Sequence, residues 1–319
     1  MSKLLATLIA ATWLAGTAPA LGQPAESGTV ETAPGISIHY ERIGSGSQLV
    51  LIPGRLFMPE FRALAAPGRT IVRYDMRNRG RSGRVEDVAQ INILGDVADV
   101  EALRRHFGAE RMALIGYSYL GLMTALYAAQ HPERVTRLVQ IGPVPRQFTT
   151  PYPADQIADQ STLDAAGRAA AQAYVAMRDA GNADPAARCQ SQARYLSYLL
   201  VGNPANHVRV PNQCALENES IANQQRHLDA HFGDIQNRNF ERAQFTTLAI
   251  PVLTIHGTLD RNAPYGAGLE WATTFPDGRL ITVEGAAHQL WLDDPAVIGE
   301  IDRFLAGEWP ARAQRFGRQ

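Results

Sequence analysis

Met112-Ala113-Leu114-Ile115-Gly116-Tyr117-Ser118-Tyr119-Leu120-Gly121 is the stretch on which the fold turns. The apolar run from Met112 to Ile115 reads as a buried strand, and a helical pattern begins at once after Ser118. A serine on so abrupt a strand-to-helix turn has the sequence form of a nucleophile elbow, in which a strained backbone pushes the hydroxyl into the open and small neighbours relieve the crowding. Gly116 is one small neighbour. Leu120 departs from the pattern, because it stands where a Gly-x-Ser-x-Gly motif has its last glycine, and Gly121 comes one residue late. A bare Gly-x-Ser turn also describes an ordinary loop, so the reading depends on what else the chain supplies.

A serine nucleophile needs a base, and the base needs an orienting carboxylate. Pro251-Val252-Leu253-Thr254-Ile255-His256-Gly257 reads as a buried strand stopped by a glycine, and Asp260 follows in a loop that Pro264 keeps from continuing as helix. Leu280 to Val283 is another β-rich run, and Gly285-Ala286-Ala287-His288 places a histidine on a small-residue loop just beyond it. Asp260 is the candidate orienter and His288 the candidate base. Taken singly, each has a plainer reading: Ser118 as a turn residue, Asp260 as an Asx turn, His288 as a partly buried histidine. Their joint occurrence, each just past an expected strand, favours the triad. His256 lies inside a strand end and is expected to make a structural hydrogen bond.

Further short β-rich runs fall near Gly28–Thr32, Ile36–Arg42, Gln48–Pro53, Thr70–Tyr74 and Val135–Gly142, and helical patterns intervene from the third onward. Val97, Val100, Leu103 and Phe107 show helical spacing, with Gly108 as a stop. Such alternation implies a mostly parallel sheet covered on both faces, with active residues beyond the C-terminal strand ends. The alternation breaks from Pro143 to Ile250. Four prolines, at 143, 145, 151 and 153, mark the entry, and Thr162–Ala180, Ala186–Leu200 and Glu219–Phe232 carry helix-compatible patterns. This stretch is expected to form a helical cap that shapes the pocket.

Nearly all of the chain after its N-terminal segment resembles the α/β-hydrolase fold superfamily. Leu49-Val50-Leu51-Ile52-Pro53-Gly54-Arg55 is similar to that family's third strand and oxyanion loop. Tyr74-Asp75-Met76-Arg77-Asn78-Arg79-Gly80-Arg81-Ser82 resembles its Asp-x-Arg-x-x-Gly-x-Ser segment, and His131-Pro132-Glu133-Arg134-Val135 resembles its break before the sixth strand. The order serine, acid, histidine is also that of the family. The resemblance implies an α/β fold with a mostly parallel eight-stranded sheet, helices on both faces and a helical cap after the sixth strand. Residues 23–142 and 251–319 would form the core and residues 143–250 the cap. It implies backbone N–H donors for an oxyanion at Arg55 and Tyr119, with Leu56 as a competing donor, since Pro53 has no N–H and Gly54 lets the chain bend. It also implies that Asp75 and Arg77 brace the core by pairing. Pro53, where relatives commonly carry histidine, is the second departure after Leu120.

Lys3, the apolar run Leu4 to Leu14 and Ala18-Pro19-Ala20 give residues 1–22 the form of a cleaved secretory signal. The run is shorter than the roughly 20 residues that cross a bilayer, so export to periplasm or medium is expected, without stable membrane insertion after cleavage. In an oxidising compartment Cys189 and Cys214 can pair, the alternative being two buried thiols. A formal net charge of -1 gives no reason to expect nucleic acid as a partner. No phosphate-cradling loop or metal-ligand cluster stands out, and a serine triad requires no cofactor. Nothing in the sequence sets the oligomeric state.

Cleavage of a small carboxylic ester through an acyl-enzyme is therefore the leading expectation. A proline-iminopeptidase-like aminopeptidase acting on short peptides is the alternative. It would need cap carboxylates for a free amine, for which Glu217 and Glu219 are candidates, but that family's His-Gly-Gly-Pro-Gly loop is absent. Leu56 and Tyr195 are further candidates to touch substrate. An alternative of another class is a non-catalytic ligand-binding protein in which Leu120 crowds the elbow out of shape.

Overall fold

The computed structural model describes residues 25–181 and 184–317, so the segment read as a signal, residues 1–22, lies outside the described residues. The strands are β1 (Glu26–Ala33), β2 (Ile36–Ile43), β3 (Gln48–Pro53), β4 (Arg69–Tyr74), β5 (Met112–Tyr117), β6 (Val135–Ile141), β7 (Val252–Gly257) and β8 (Gly278–Val283). They form one sheet in the order β1-β2-β4-β3-β5-β6-β7-β8. β2 runs antiparallel to β1 and β4, and every other pairing is parallel. The expected mostly parallel, eight-stranded sheet is present.

Alternation along the central strands divides the core in two. Leu49 and Leu51 of β3 and Met112 and Leu114 of β5 pack on one face, while Val50, Ile52, Ala113, Ile115 and Tyr117 pack on the other. Both faces must be covered, so β5 is buried at every position and reads as a continuous apolar run. On the first face lie α1 (Ile93–His106) and α2 (Tyr119–Gln130); on the second, α8 (Ala296–Leu305). Asn92 caps α1 by accepting from Gly95 N–H at 2.9 Å. Helix α2 has no charged side chain because it is buried along most of its length.

Between β6 and β7 lie α3 (Ala165–Asp179), α4 (Pro185–Leu199) and α5 (Ile221–Gln236); α6 (Tyr265–Thr274) and α7 (Leu290–Asp293) follow in the C-terminal part. Asp164, Asp184 and Ser220 cap α3, α4 and α5 with their side chains. Ser220 thus leaves Glu219 outside α5, whose expected start had included it. A disulfide joins Cys189 of α4 to Cys214, 25 residues on, with the Cα atoms 6.0 Å apart. Among the described residues no helix is long and apolar enough to cross a membrane.

One expectation for the core needs correction. Asp75 and Arg77 do not pair with each other. Arg55 clamps both oxygens of Asp75, at 2.9 and 2.8 Å, while Arg77 reaches Asp99 at 2.8 Å with both Nε and Nη2. Two residues apart at the end of β4, the pair faces different neighbours, and each buried charge is matched where it points.

Candidate active site

Ser118 joins β5 to α2 with φ 56° and ψ -126°, a backbone state outside the usual range for a side chain with a β-carbon. The flanking structure enforces it: Ser118 N–H donates to Ile141 C=O at 2.8 Å, and Gly121 N–H donates to Ser118 C=O at 2.9 Å. Gly116 is indispensable here, since a β-carbon would lie 2.2 Å from the carbonyl oxygen of Leu120. Gly121 is roomier, with an added β-carbon 3.1 Å from Pro143 Cβ. Leu120 is buried with its side chain directed at Gly54, so it does not close the elbow.

His288 and Asp260 come from the loops after β8 and β7. His288 Nδ1 lies 2.6 Å from Asp260 Oδ2, and both residues are almost fully buried. Asp260 Oδ1 accepts from the N–H groups of Asn262 and Ala263 at 2.9 and 2.8 Å. Burial alone would raise the pKa of this carboxyl. The charge of His288 and hydrogen bonds from His256 and His288 outweigh burial and hold it well below the usual carboxylate range. His256 Nε2 lies 3.2 Å from Asp260 Oδ2 and 3.1 Å from Ala263 C=O, a structural position. Gly142 makes room for the dyad: at φ 49°, its β-carbon would lie 3.1 Å from His288 Nδ1 and 3.2 Å from Asp260 Oδ2. Nothing in the sequence around Gly142 had signalled this role.

Ser118 and His288 line one cavity of about 310 Å³, together with Gly54, Leu56 and Phe57 from the loop after β3 and Leu196, Leu200, Leu228 and Phe232 from the inserted helices. Gly54 has φ 77° and starts a tight turn, in which Phe57 N–H donates to Gly54 C=O at 3.0 Å. The carbonyl of Arg55 accepts from Arg73 Nη2 at 2.7 Å, so a buried guanidinium pins the peptide that follows. Arg55 is not among the lining residues; its side chain reaches Asp75, which does line the cavity, and Glu41 and Glu217. Tyr119, whose N–H begins α2, lines the cavity beside Ser118.

The remaining candidates divide. Leu56 lines the cavity. Tyr195 is not among the lining residues; its hydroxyl accepts from Gln160 Nε2 at 2.7 Å and its ring stacks on Tyr174. Glu217 binds Arg55 at 3.0 Å and also Arg81, and Glu219 binds Arg79 Nε at 2.7 Å. Their position beside an arginine-rich loop matches each carboxylate to a core cation, and neither lines the cavity. The histidines that do line it besides His288 are His227 and His231 of α5, which the sequence reading passed over. Their spacing of four in His227-Leu228-Asp229-Ala230-His231 was the available signal. Among the described residues no group of three or more His, Cys, Asp or Glu is placed to hold a metal ion.

Such an arrangement can activate a hydroxyl beside a buried imidazole–carboxylate pair and present backbone N–H groups to a developing oxyanion. Comparison with known proteins agrees with the fold. A family profile described as alpha/beta hydrolase fold matches residues 49–295. A proline iminopeptidase of Neisseria meningitidis serogroup A is 34% identical over 127 residues, 38% of this chain and 41% of that protein. The chain spans about two fifths of the length of most of the curated relatives it matches, and 13% of one, a polyketide synthase of Burkholderia thailandensis. An esterase from Exiguobacterium antarcticum superposes with TM-score 0.66 at 16% identity, over 88% of this chain and 99% of that one. A 2-hydroxy-6-oxo-6-phenylhexa-2,4-dienoate hydrolase from Rhodococcus sp. strain RHA1 gives TM-score 0.66 at 18% identity, covering 89% and 99%. At such identities these two structures speak for the fold alone.

Proposed function

The chain belongs to the alpha/beta hydrolase fold family, and on that premise we propose that it is an exported serine hydrolase cleaving a small carboxylic ester. Ser118 is the nucleophile, His288 the general base and Asp260 the residue that orients it. The observation that carries this reading is the positive-φ Ser118 opening onto the cavity that His288 also lines, with Asp260 2.6 Å behind the imidazole.

The reaction proceeds in two halves. His288 takes the proton of Ser118 as Oγ attacks the ester carbonyl, and the oxyanion of the tetrahedral intermediate is met by the N–H groups of Tyr119 and Arg55. A donor of this kind contributes about 3 to 4 kcal/mol to the transition state. His288 then protonates the departing alcohol as the C–O bond breaks, leaving an acyl-enzyme. Water attacks this ester with His288 again as base, and release of the acid restores Ser118. Asp260 stays ionised throughout and fixes the imidazole tautomer.

The inserted helices act as a cap that bounds the substrate pocket. Ester cleavage is favoured over aminopeptidase action because Glu217 and Glu219, the acidic candidates for holding a free amine, are engaged by Arg55, Arg81 and Arg79. The disulfide is compatible with an oxidising compartment, which fits export.

The test is intact-mass detection of fluorophosphonate labelling on the wild type and on Ser118→Ala. One adduct on the wild type and none on the variant is the expected result. A wild-type protein that stays unlabelled at high probe concentration overturns the proposal and leaves ligand binding as the reading to pursue.

A further inference from the structure

The wall of the cavity formed by α5 and the start of α2 carries a second polar cluster that the ester chemistry does not use. His227 and His231 lie one turn apart on α5, 6% and 4% exposed, with ring centroids 4.3 Å apart. The ring of His231 packs 4.8 Å from that of Tyr119, the residue after Ser118, and the Tyr119 hydroxyl donates to Asp96 Oδ2 at 2.6 Å. His231 Nε2 lies 3.3 Å from the same oxygen without hydrogen-bond geometry. Among the described residues His227 Nδ1, both nitrogens of His231 and Asp96 Oδ1 have no hydrogen-bond partner. A buried polar atom left so costs about 1 to 3 kcal/mol, and four in one place call for a ligand group.

The charges around the cluster say what kind of group. Arg77 and Arg79 are the nearby cations; Asp99 matches Arg77 at 2.8 Å and Glu219 matches Arg79 at 2.7 Å, while Arg77 Nε lies farther, 3.7 Å, from Asp96 Oδ1, beyond hydrogen-bond distance. Asp234, on the same helix, accepts from Ile93 N–H and from Arg238. Burial pushes the Asp96 carboxyl up to about 8, despite the hydrogen bond from Tyr119. Burial also lowers His231 to about 4 and His227 well below its ordinary value. Burial thus disfavours charge on all three groups: each neutral imidazole offers one donor and one acceptor, and the carboxyl is held towards its protonated form. A carboxylate, which only accepts, would meet no free cation. An ammonium would require Asp96 to ionise in a buried site.

We propose that His227 and His231, with Asp96 behind them, form a specificity subsite that binds an uncharged hydroxyl on the acyl or alkoxy chain of the ester. The proposal rests on the ester-hydrolase reading and names its substrate class, hydroxyl-bearing esters. A hydroxyl donates once and accepts twice, so it can satisfy an imidazole nitrogen of either tautomer. A methyl in its place would leave those nitrogens unpaired, which is how a polar site rejects an apolar analogue.

The experiment compares kcat/KM for matched pairs: p-nitrophenyl esters of six- to ten-carbon acids against their terminal-hydroxy and terminal-carboxy analogues, and acetates of simple alcohols against acetates of the corresponding diols. The wild type is expected to favour the hydroxyl member of at least one series by about tenfold or more. In His231→Phe and His227→Leu that ratio falls to about one, whereas His231→Gln, which keeps a donor and an acceptor, retains part of it. Thermal melting and the fluorophosphonate labelling rate report whether each variant is folded with a competent Ser118. A flat wild-type ratio in both series, a ratio unmoved by either substitution, or a preference for the carboxylate overturns the proposal while leaving ester hydrolysis standing. Failure of Ser118 to label, with no ester turned over, overturns the hydrolase reading and the subsite with it.

Discussion

Gly54 and Leu120 are in contact across the floor of the cavity: a β-carbon on Gly54 would lie 2.7 Å from Leu120 Cδ1. The glycine belongs to the loop after β3 and the leucine to the first turn of α2, the two segments that supply the proposed oxyanion donors. Leu120 is the residue that replaces the expected elbow glycine. Its side chain fits because Gly54, on the facing loop, has none.

Gly54→Ala is therefore expected to lower kcat by about tenfold or more and stability by about 1 to 3 kcal/mol, since it adds both a clash and a side chain at φ 77°. Adding Leu120→Ala to that variant relieves the clash but not the backbone strain, so recovery should be partial. Full recovery in the double variant, measured by ester turnover and urea unfolding, would show that φ at Gly54 does not matter.

Asp260→Asn is expected to reduce kcat by about 10⁴, because an amide cannot hold His288 in the tautomer that accepts the serine proton. Activity within tenfold of the wild type, measured at saturating ester, would sink the assignment of Asp260.

Two buried aspartates give stability opposite pH dependences. Asp260 has a folded pKa below its unfolded value, so its contribution is present above pH about 4 and is lost as pH falls through the folded value. Asp96 is raised to about 8, so its contribution is full below about 4 and declines as pH rises towards 8, by a few kcal/mol in all. Asp96→Asn should flatten the fall in stability between pH 5 and 8, read by thermal melting across that range. An unchanged slope would place the titration elsewhere.

Reducing the Cys189–Cys214 bond, or replacing both cysteines by serine, is expected to cost about 3 to 4 kcal/mol in the chain-entropy account of a 25-residue separation. Gln213, beside Cys214, lines the cavity, so KM should rise more than kcat falls. Melting and ester kinetics with and without reductant check both effects; a change in kcat alone would separate the disulfide from the pocket.

Asp75 is fully buried under Arg55, whereas Glu217, the other partner of that arginine, is 38% exposed. Asp75→Ala should cost about 3 to 5 kcal/mol by leaving a buried guanidinium charge less compensated, and Glu217→Gln under about 1 kcal/mol. Urea unfolding of the two variants distinguishes them, and similar losses would mean that the exposed pair contributes as much as the buried one.

The sheet was legible because a strand covered on both faces must be apolar throughout, and β5 and β7 announce themselves as such runs. Asp260 and His288 stood out as candidates because each follows such a run within a few residues, and the fold brings their side chains to 2.6 Å. Tyr195 was misplaced for the converse reason: α4 is half exposed, and a tyrosine there has a solvent side, a Tyr174 side and a cavity side that spacing alone does not separate. Glu217 and Glu219 were identified as charges near the pocket, but their partners Arg55, Arg79 and Arg81 lie about 140 to 160 residues earlier in the chain. No local pattern connects them.

What this sequence determined by itself is the set of elements and the order of Ser118, Asp260 and His288, because hydrophobic period and turn chemistry act between residues close in the chain. Only the tertiary structure decided that Leu120 is accommodated by Gly54, that Gly142 clears space for the Asp260–His288 pair, and that His227 and His231 line the cavity with Asp96 3.3 Å from His231. Those relationships depend on sterics and electrostatics between segments far apart in sequence, and they exist only where the folded chain packs those segments against one another.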